Sequence, residues 1–388
     1  MKIVKLGEVV ELFNGSTPLK TNKNYWVGGD VPWFTVDDLR KQGKYISYTE
    51  KFITKLGLKE SSISLIPENA VLLCCTASVG AIAINKIRLT TNQQFNALVV
   101  KDPKQLLVEF LYYWFLANMD TLKSLGRATT IDYVSMSKLR DMDLQLPTIE
   151  KQLEIVSKLD TTFAEIELLE QNLGQNLLLV QQLFESLLSS AFTPTEFEIE
   201  HSHSQLNDSN SWHEVSLKEL CEVDWGNTKL TKSSYVTNGA FLAVSASGAD
   251  GRIDHYEHEA NVPVLSAIGA QCGKMFYPNE KFTAIKNTIT LTPKKDMADG
   301  KFLYYLFSHV ELPQRGAGQP FISKGDIEAF QVYAPISLEV QRKIVEKLDK
   351  SLIEIDLMKS QYKKEIDKAG ALRQSILNDA LTLEEVVA

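Results

Sequence analysis

The chain has 388 residues, of which 44% are hydrophobic and 23% charged, a balance that excludes an intrinsically disordered protein. Its length allows two or more domains of about 100–200 residues each. The formal net charge of −8 argues against a nucleic-acid partner only while it is taken as a total, because its distribution is uneven.

There are 18 basic and 14 acidic residues over 1–146, 2 and 10 over 147–200, 12 and 15 over 201–334, and 9 and 10 over 335–388. The opening third is therefore mildly basic and the acidity is concentrated in the stretch after it, so charge supports DNA contact only for the first half. The opening residues MKIVKLGEVVELF carry charges throughout and lack an apolar signal core. The most apolar run, Ala70 to Ile84, is too short and too broken by Thr, Ser and Gly to span a bilayer, and reads as buried strands with a turn near Gly80. No membrane partner is expected. Cys74 and Cys75 are adjacent, Cys221 and Cys272 isolated; with no CxxC pair and no ligand spacing around the six histidines, no metal site is expected and a reduced, cytoplasmic protein is the simplest reading.

In chain order, VPWFTV, AVLLCCTA, AIAINKI and FNALVV have strand composition and are punctuated by Gly, Asn and Pro. A helix containing FLYY (110–113) follows, then a glycine-containing loop, Pro147 and a long helix from about Ile149 to Phe192. Pro194 to Ser211 is polar and rich in Ser, His and Asn, and reads as a flexible linker in which His201 and His203 are linker residues rather than ligands. The order then repeats, with FLAVSA, VPVLSAIGA and TAIKNTITLTP, a second FLYY (302–305), Pro335 and a second long helix from about Leu338 to Leu381.

This is a duplication. QLEIVSKLD (152–160) and QRKIVEKLD (341–349) share Gln152/Gln341, Ile155/Ile344, Val156/Val345, Lys158/Lys347, Leu159/Leu348 and Asp160/Asp349 at an offset of 189, and VKLGEVVELFNG (4–15) resembles VSLKELCEVDWG (215–226). Along each long helix apolar residues recur in alternating three- and four-residue steps, among them Val156, Leu159, Phe163 and Ile166 in the first and Val345, Leu348, Leu352 and Ile355 in the second. The seam also takes in Leu153, Leu169 and Leu372. A rod of 44 residues is about 66 Å long, and so long an apolar seam calls for a partner. The two helices are expected to pack on each other as a coiled coil, either parallel or antiparallel. The antiparallel arrangement would put the globular bodies at opposite ends about a pseudo-two-fold axis. The fold class is α+β: two mixed α/β bodies in tandem repeat (1–146 and 212–334), each followed by a long helix (147–193 and 335–388), with a linker at 194–211.

With these landmarks the chain resembles, over essentially its full length, the specificity subunits of Type I restriction–modification systems. The residues that carry the resemblance are the LGEVVELFNG and LKELCEVDWG openings, the run ASVGAIAINKIRLTTNQQFNALVV, and the two helix starts with their Gln, Ile, Val, Lys, Leu and Asp. The resemblance implies two target-recognition domains, each reading half of a split double-stranded DNA target. The long helices would be an antiparallel coiled-coil ruler that docks two methyltransferase subunits. It implies further that S-adenosylmethionine and ATP belong to partner subunits, that motor-nuclease subunits can join, and that this chain has no catalytic residue.

The bare sequence agrees with a non-catalytic role. No two prolines adjoin, so the Asn/Asp-Pro-Pro-aromatic motif of an amino-methyltransferase is absent; the Gly-x-Gly at 316–318 follows no apolar strand, GxxxxGK[ST] is missing, and no Glu-x-Lys occurs. Asp37 and Asp38 read as a helix N-terminal feature or a solvated loop. Base reading needs Arg, Lys, Asn, Gln, Ser or Thr on loops backed by cations. In the first half the candidates are Lys20, Lys23, Lys86, Arg88, Asn92, Gln93, Gln94, Arg127 and Thr129; in the second, Lys229, Lys232, Gln271, Lys274, Lys286, Asn287, Arg315 and Gln319. Each also has a plain reading as a solvated or phosphate-contacting residue, and Trp26, Trp33 and Trp225 suit core packing better than base stacking. Two other functions stay open: a coiled-coil scaffold with two protein-binding heads, and part of a stand-alone DNA methylase or nuclease, for which no cofactor motif is found.

Overall fold

A computed structural model describes residues 2–76, 80–126, 134–193, 212–316 and 318–382. The chain forms two compact units, Met1–Asn172 with Glu365–Ala388, and Leu173–Lys364. Each holds one mixed α/β body with parts of both long helices.

In the first body the strands are β1 (Lys2–Lys5), β2 (Val10–Asn14), β3 (Val31–Phe34), β4 (Tyr45–Ile46), β5 (Phe52–Ile53), β6 (Ala70–Cys74), β7 (Ile82–Asn85), β8 (Thr90–Thr91), β9 (Phe95–Val100) and β10 (Asp143–Leu146). The main sheet has the order β2-β9-β6-β7-β4, beside a small β5-β3-β8 sheet and a β1-β10 pair. β6 is central and buried along its whole length, which explains its unbroken apolar run. The turn expected near Gly80 joins β6 to β7, and Gly80 has φ +101°, a backbone that favours glycine. The FLYY segment lies on the helix Val108–Ala117, which buries Phe110, Leu111, Tyr113, Trp114 and Phe115. Asp38 closes a capping box with Thr35 at the start of the helix Val36–Gln42, so the Asp37–Asp38 pair is a helix N-terminal feature.

The second body repeats this plan. Its strands are β11 (Trp212–Ser216), β12 (Cys221–Trp225), β13 (Phe241–Ser245), β14 (Gly248–Ile253), β15 (Val264–Ser266), β16 (Met275–Phe276), β17 (Phe282–Ala284), β18 (Thr288–Pro293) and β19 (Gln331–Pro335). They form the main sheet β12-β18-β15-β16, a β14-β13-β17 sheet and a β11-β19 pair, with FLYY on the helix Gly300–His309.

The long helices run from Ile149 to Phe192 and from Leu338 to Leu381. The start of each shares a unit with the end of the other, so the pairing is antiparallel. In the first unit Ile155, Leu159 and Phe163 join one core with Ile376, Leu377 and Ala380, and the Arg373 guanidinium lies 5.1 Å over the Phe163 ring and 3.5 Å from Glu170. In the second, Leu188 and Phe192 join a core with Ile344, Val345 and Leu348. Burial recurs at seven-residue steps, at Gln152, Leu159, Ile166, Leu173 and Val180. At the 189 offset Gln341, Leu348, Ile355 and Ala369 are buried, with Tyr362 half-buried between them; Ile155, Leu188, Phe192 and Leu377 are buried beside this row. The other expected seam residues, Val156, Phe163, Val345 and Leu352, are half-buried beside it. Leu153, Leu169 and Leu372 correct the apolar reading: they are about half exposed, while Gln152, Glu170 and Arg373 take the inward positions. Heptad geometry, not side-chain polarity, selects the face.

The repeated Gln and Asp are fasteners. Gln152 is fully buried; its Oε1 accepts from the Leu107 N–H at 2.8 Å, and its Nε2 donates to the carbonyls of Gln105 (2.8 Å) and Pro147 (3.0 Å). Gln341 does the same with the Asp299 N–H (2.8 Å) and the carbonyls of Met297 (2.9 Å) and Pro335 (2.8 Å). One amide thus ties the entry of the FLYY helix to the entry of the long helix. Farther along, the Tyr113 hydroxyl and Lys44 ammonium donate to Asp160, and Tyr305 and Lys301 donate to Asp349. Burial, followed by the hydrogen bond to its aspartate, holds each of these tyrosine hydroxyls above the usual range, so both remain donors.

Truncating Gln341 to Ala strands one buried and two part-buried backbone groups, each costing up to about 1–3 kcal/mol. Gln341→Ala is expected to lower stability by roughly 3 kcal/mol in denaturant unfolding, and Gln152→Ala by a similar amount. The outward Lys343→Ala is expected to change it by under about 0.5 kcal/mol. Equal stability of Gln341→Ala and Lys343→Ala would remove the fastening role.

Candidate nucleic-acid interface

Strand register gives each main sheet two distinct ends. In the first body Asn14 pairs with Asn96 and Cys74 with Phe95 at one end, while Val10 pairs with Val100 and Ala70 with Val99 at the other. The far end leads into Gln105 and Leu107 and so to the Gln152 fastener. The near end is free of the fastener and sends out the loops that follow β2, β6 and β8. Gly15 donates its N–H to Phe95 O, Ser16 to Thr91 O, Asn92 to Phe34 O, Cys75 to Gln94 O and Val134 to Cys75 O.

The second body carries the same bonds on different residues. Gly226 donates to Thr288 O, Asn227 to Ala284 O, Ile285 to Val244 O, Ala267 to Asn287 O and Ile322 to Ala267 O. This pairs Gln93 with Lys286, Gln94 with Asn287, and the loop after Gly15 with the loop after Gly226. Both glycines are required by close approach, since a Cβ on Gly15 would collide with the Asn92 carbonyl and one on Gly226 with the Thr288 hydroxyl and Ile285 carbonyl.

Most sequence candidates gather at these near ends. Lys20 and Lys23 are exposed on the stretch after Gly15, with Lys23 opening the short 3-10 turn Lys23–Tyr25; Lys232 opens its counterpart Lys232–Ser234. Gln93 is exposed and accepts from the Thr17 hydroxyl, Gln94 is half-buried, and Asn92 is buried. Asn92 shapes the loop instead of facing outward: its Oδ1 accepts from the Gln94 N–H at 2.9 Å and its Nδ2 donates to Gln94 Oε1 at 3.0 Å. Lys229, Gln271, Lys274, Lys286, Arg315 and Gln319 are exposed on adjoining loops of the second body, with Asn287 half-buried at φ +71°.

Two candidates lie elsewhere. Lys86 leaves β7 at the far end, 4.6 Å over the Tyr45 ring and 3.5 Å from Glu109, and Arg88 follows two residues on. The turn between β7 and β8 returns along the sheet, so closeness to Gln93 in sequence does not bring the side chains together. Arg127 and Thr129 fall outside the described residues, as do His201 and His203.

Two cations of the second body are already paired. Lys232 donates to Asp250 at 2.6 Å, and Arg315 pairs with Asp326. Burial opposes ionisation of Asp250, but hydrogen bonds from Lys232, Tyr235 and Ser245 outweigh it and hold its carboxyl below the usual range. The Ser323 hydroxyl, then Arg315, does the same for Asp326. Sequence reasoning missed these acidic partners because they come from a separate strand and a following helix turn. It also undervalued Trp225: Trp33 is buried and donates to Ser16 O, whereas Trp225 is 41% exposed at the near end of β12. Amides, hydroxyls, ammonium groups and an open indole on neighbouring loops can donate to base edges, bind phosphates and stack. Among the described residues no group of three or more His, Cys, Asp or Glu is placed to hold a metal ion, and no helix is long and apolar enough to cross a membrane.

Comparison with known proteins agrees with this layout. The sequence profile described as "Type I restriction modification DNA specificity domain" matches residues 1–177 and again 209–368. The "Type I restriction enzyme MjaIX specificity subunit" of Methanocaldococcus jannaschii is 25% identical over 363 residues, covering 86% of this chain and 82% of its own. The "Type I restriction enzyme EcoprrI specificity subunit" of Escherichia coli is 23% identical over 375 residues, covering 92% and 90%. Among solved structures, a chain from "Structural basis underlying complex assembly and conformational transition of the type I R-M system" superposes with a TM-score of 0.78 at 19% identity, covering 98% of this chain and 97% of that one. The HsdS subunit from Thermoanaerobacter tengcongensis gives 0.59 at 19% identity, with 98% and 96% covered. These structural likenesses bear on the fold. The profile match over both halves, on two bodies that share one framework of loops, shows that the chain belongs to the family of Type I restriction–modification DNA-specificity subunits.

Proposed function

We propose that this chain gives a Type I complex its target sequence, each body reading one half of a split double-stranded DNA site with the loops at the near end of its main sheet. The observation that carries this is the shared hydrogen-bond framework of the two near ends, which holds different side chains at equivalent places. A constant frame with variable contact groups suits two related readers of two different half-sites. On this reading the long helices set the number of base pairs between half-sites and dock two methyltransferase subunits. Those partners bring S-adenosylmethionine, motor-nuclease subunits bring ATP hydrolysis, and this chain contributes no catalytic group. The setting is the cytoplasm, where the DNA is. The Lys232–Asp250 and Arg315–Asp326 pairs favour one competing reading, a scaffold whose second head binds protein, because they neutralise cations that DNA would use.

Mapping modified bases genome-wide, with and without the chain in cells that hold the cognate methyltransferase, separates the two. A split motif modified only when the chain is present is the expected result; active methyltransferase with no motif dependent on the chain favours the scaffold. Replacing Lys20 and Lys23 by Ala is expected to weaken DNA binding by the assembled complex about equally on all sequences. It should also lower the slope of log affinity against log salt by about 1–2; an unchanged slope would place both lysines off the DNA. Inserting four residues near Gly174 is expected to change the spacer accepted between half-sites, and an active complex with the original spacer would rule out a ruler.

A further inference from the structure

The short crossing between the small sheet and the main sheet occurs once in each body, at 92–94 and 285–287, and it is pinned identically in both. Its first residue donates its N–H to the small sheet (Asn92 to Phe34 O, Ile285 to Val244 O), and its last accepts from the loop after the central strand (Gln94 from Cys75, Asn287 from Ala267). The first residue is buried in both, Asn92 at 8% and Ile285 at 2% exposure, the last is half-buried, and only the middle one is fully outward. That middle residue is Gln93 in one body and Lys286 in the other.

Both are positioned from the side as well. The Thr17 hydroxyl donates to Gln93 Oε1, and the exposed amide keeps its Nε2 donors and a second lone pair on Oε1 without a partner among the described residues. The Lys286 N–H donates to Leu230 O at 3.1 Å, and its ammonium has no partner among the described residues. The loops that position them, after Gly15 and after Gly226, are themselves equivalent. A frame pinned on three sides fixes where the middle side chain emerges, and its chemistry then decides what it meets.

We infer that positions 93 and 286 are one base-reading position used twice, with Gln93 selecting an adenine in one half-site and Lys286 a guanine in the other. This rests on the DNA-reading function proposed above. An exposed amide with a donor and a remaining acceptor lone pair matches the acceptor N7 and donor N6 of adenine, whereas an ammonium carries donors alone and matches the acceptors O6 and N7 of guanine. The neighbours Asn92 and Asn287 belong to the frame and set the loop path.

The test uses the complete complex with its cognate methyltransferase subunits, its assembly checked by size-exclusion chromatography. It selects bound duplexes from pools in which the wild-type target is randomised one position at a time. Gln93→Lys is expected to move the preference at one base pair of one half-site from A·T toward G·C by on the order of tenfold, leaving the other half-site untouched. Lys286→Gln is expected to do the reverse in the other half-site only. Unaltered preferences in both assembled variants, or a loss spread over both half-sites, would overturn the inference. Absence of any split preference in the wild-type complex would instead sink the DNA-reading function itself, before either variant is read.

Discussion

A buried primary amide holds each half of this protein together. Where a sheet ends, the FLYY helix begins and a long helix starts, backbone donors and acceptors meet with no ladder partners of their own. Gln152 and Gln341 each satisfy one N–H and two carbonyls from inside the core. Few side chains can do this, because the site needs an acceptor and two donors on one planar group of fixed reach. The direction in which each long helix leaves its body follows from this joint, and so does the end of the sheet left open for loops.

The same separation of frame from contact runs through the near ends. Gly15 and Gly226 are required by neighbouring carbonyls, Asn92 by its own turn, and Asn287 by a left-handed backbone. These residues shape loops; Lys20, Gln93, Lys229 and Lys286 stand on them. A reader can therefore change what it recognises by exchanging outward side chains while the frame stays, and the two bodies of this chain illustrate how far such exchange can go. The electrostatic cost differs between them: Lys20 and Lys23 of the first body have no carboxylate partner among the described residues, while the second body ties two of its near-end cations, Lys232 and Arg315, to carboxylates. The net negative charge of the chain lies, in sequence, between residues 147 and 200, after the first body.

Much of the architecture was legible in one sequence. The 189-residue offset, the two FLYY segments and the strand-like runs are local or repeated signals, and they recovered the duplicated bodies, the central strands around Gly80 and both 44-residue helices. The inward face of the helices was less legible. Apolarity pointed to Leu153, Leu169 and Leu372, but Gln152, Glu170 and Arg373 point inward, where hydrogen bonds and an ion pair replace apolar contact. Polar side chains at packed positions look like surface residues until their partners are known.

The sequence by itself determined the repeat, the element types and their order, because helical and strand periodicities are properties of neighbouring residues. Tertiary structure decided which candidates share a surface. Lys86 and Gln93 are seven residues apart yet leave opposite ends of one sheet, while Thr17 and Gln93, separated by 76 positions, touch. Strand order and register make that choice, and both arise from non-local pairing that a single sequence does not display.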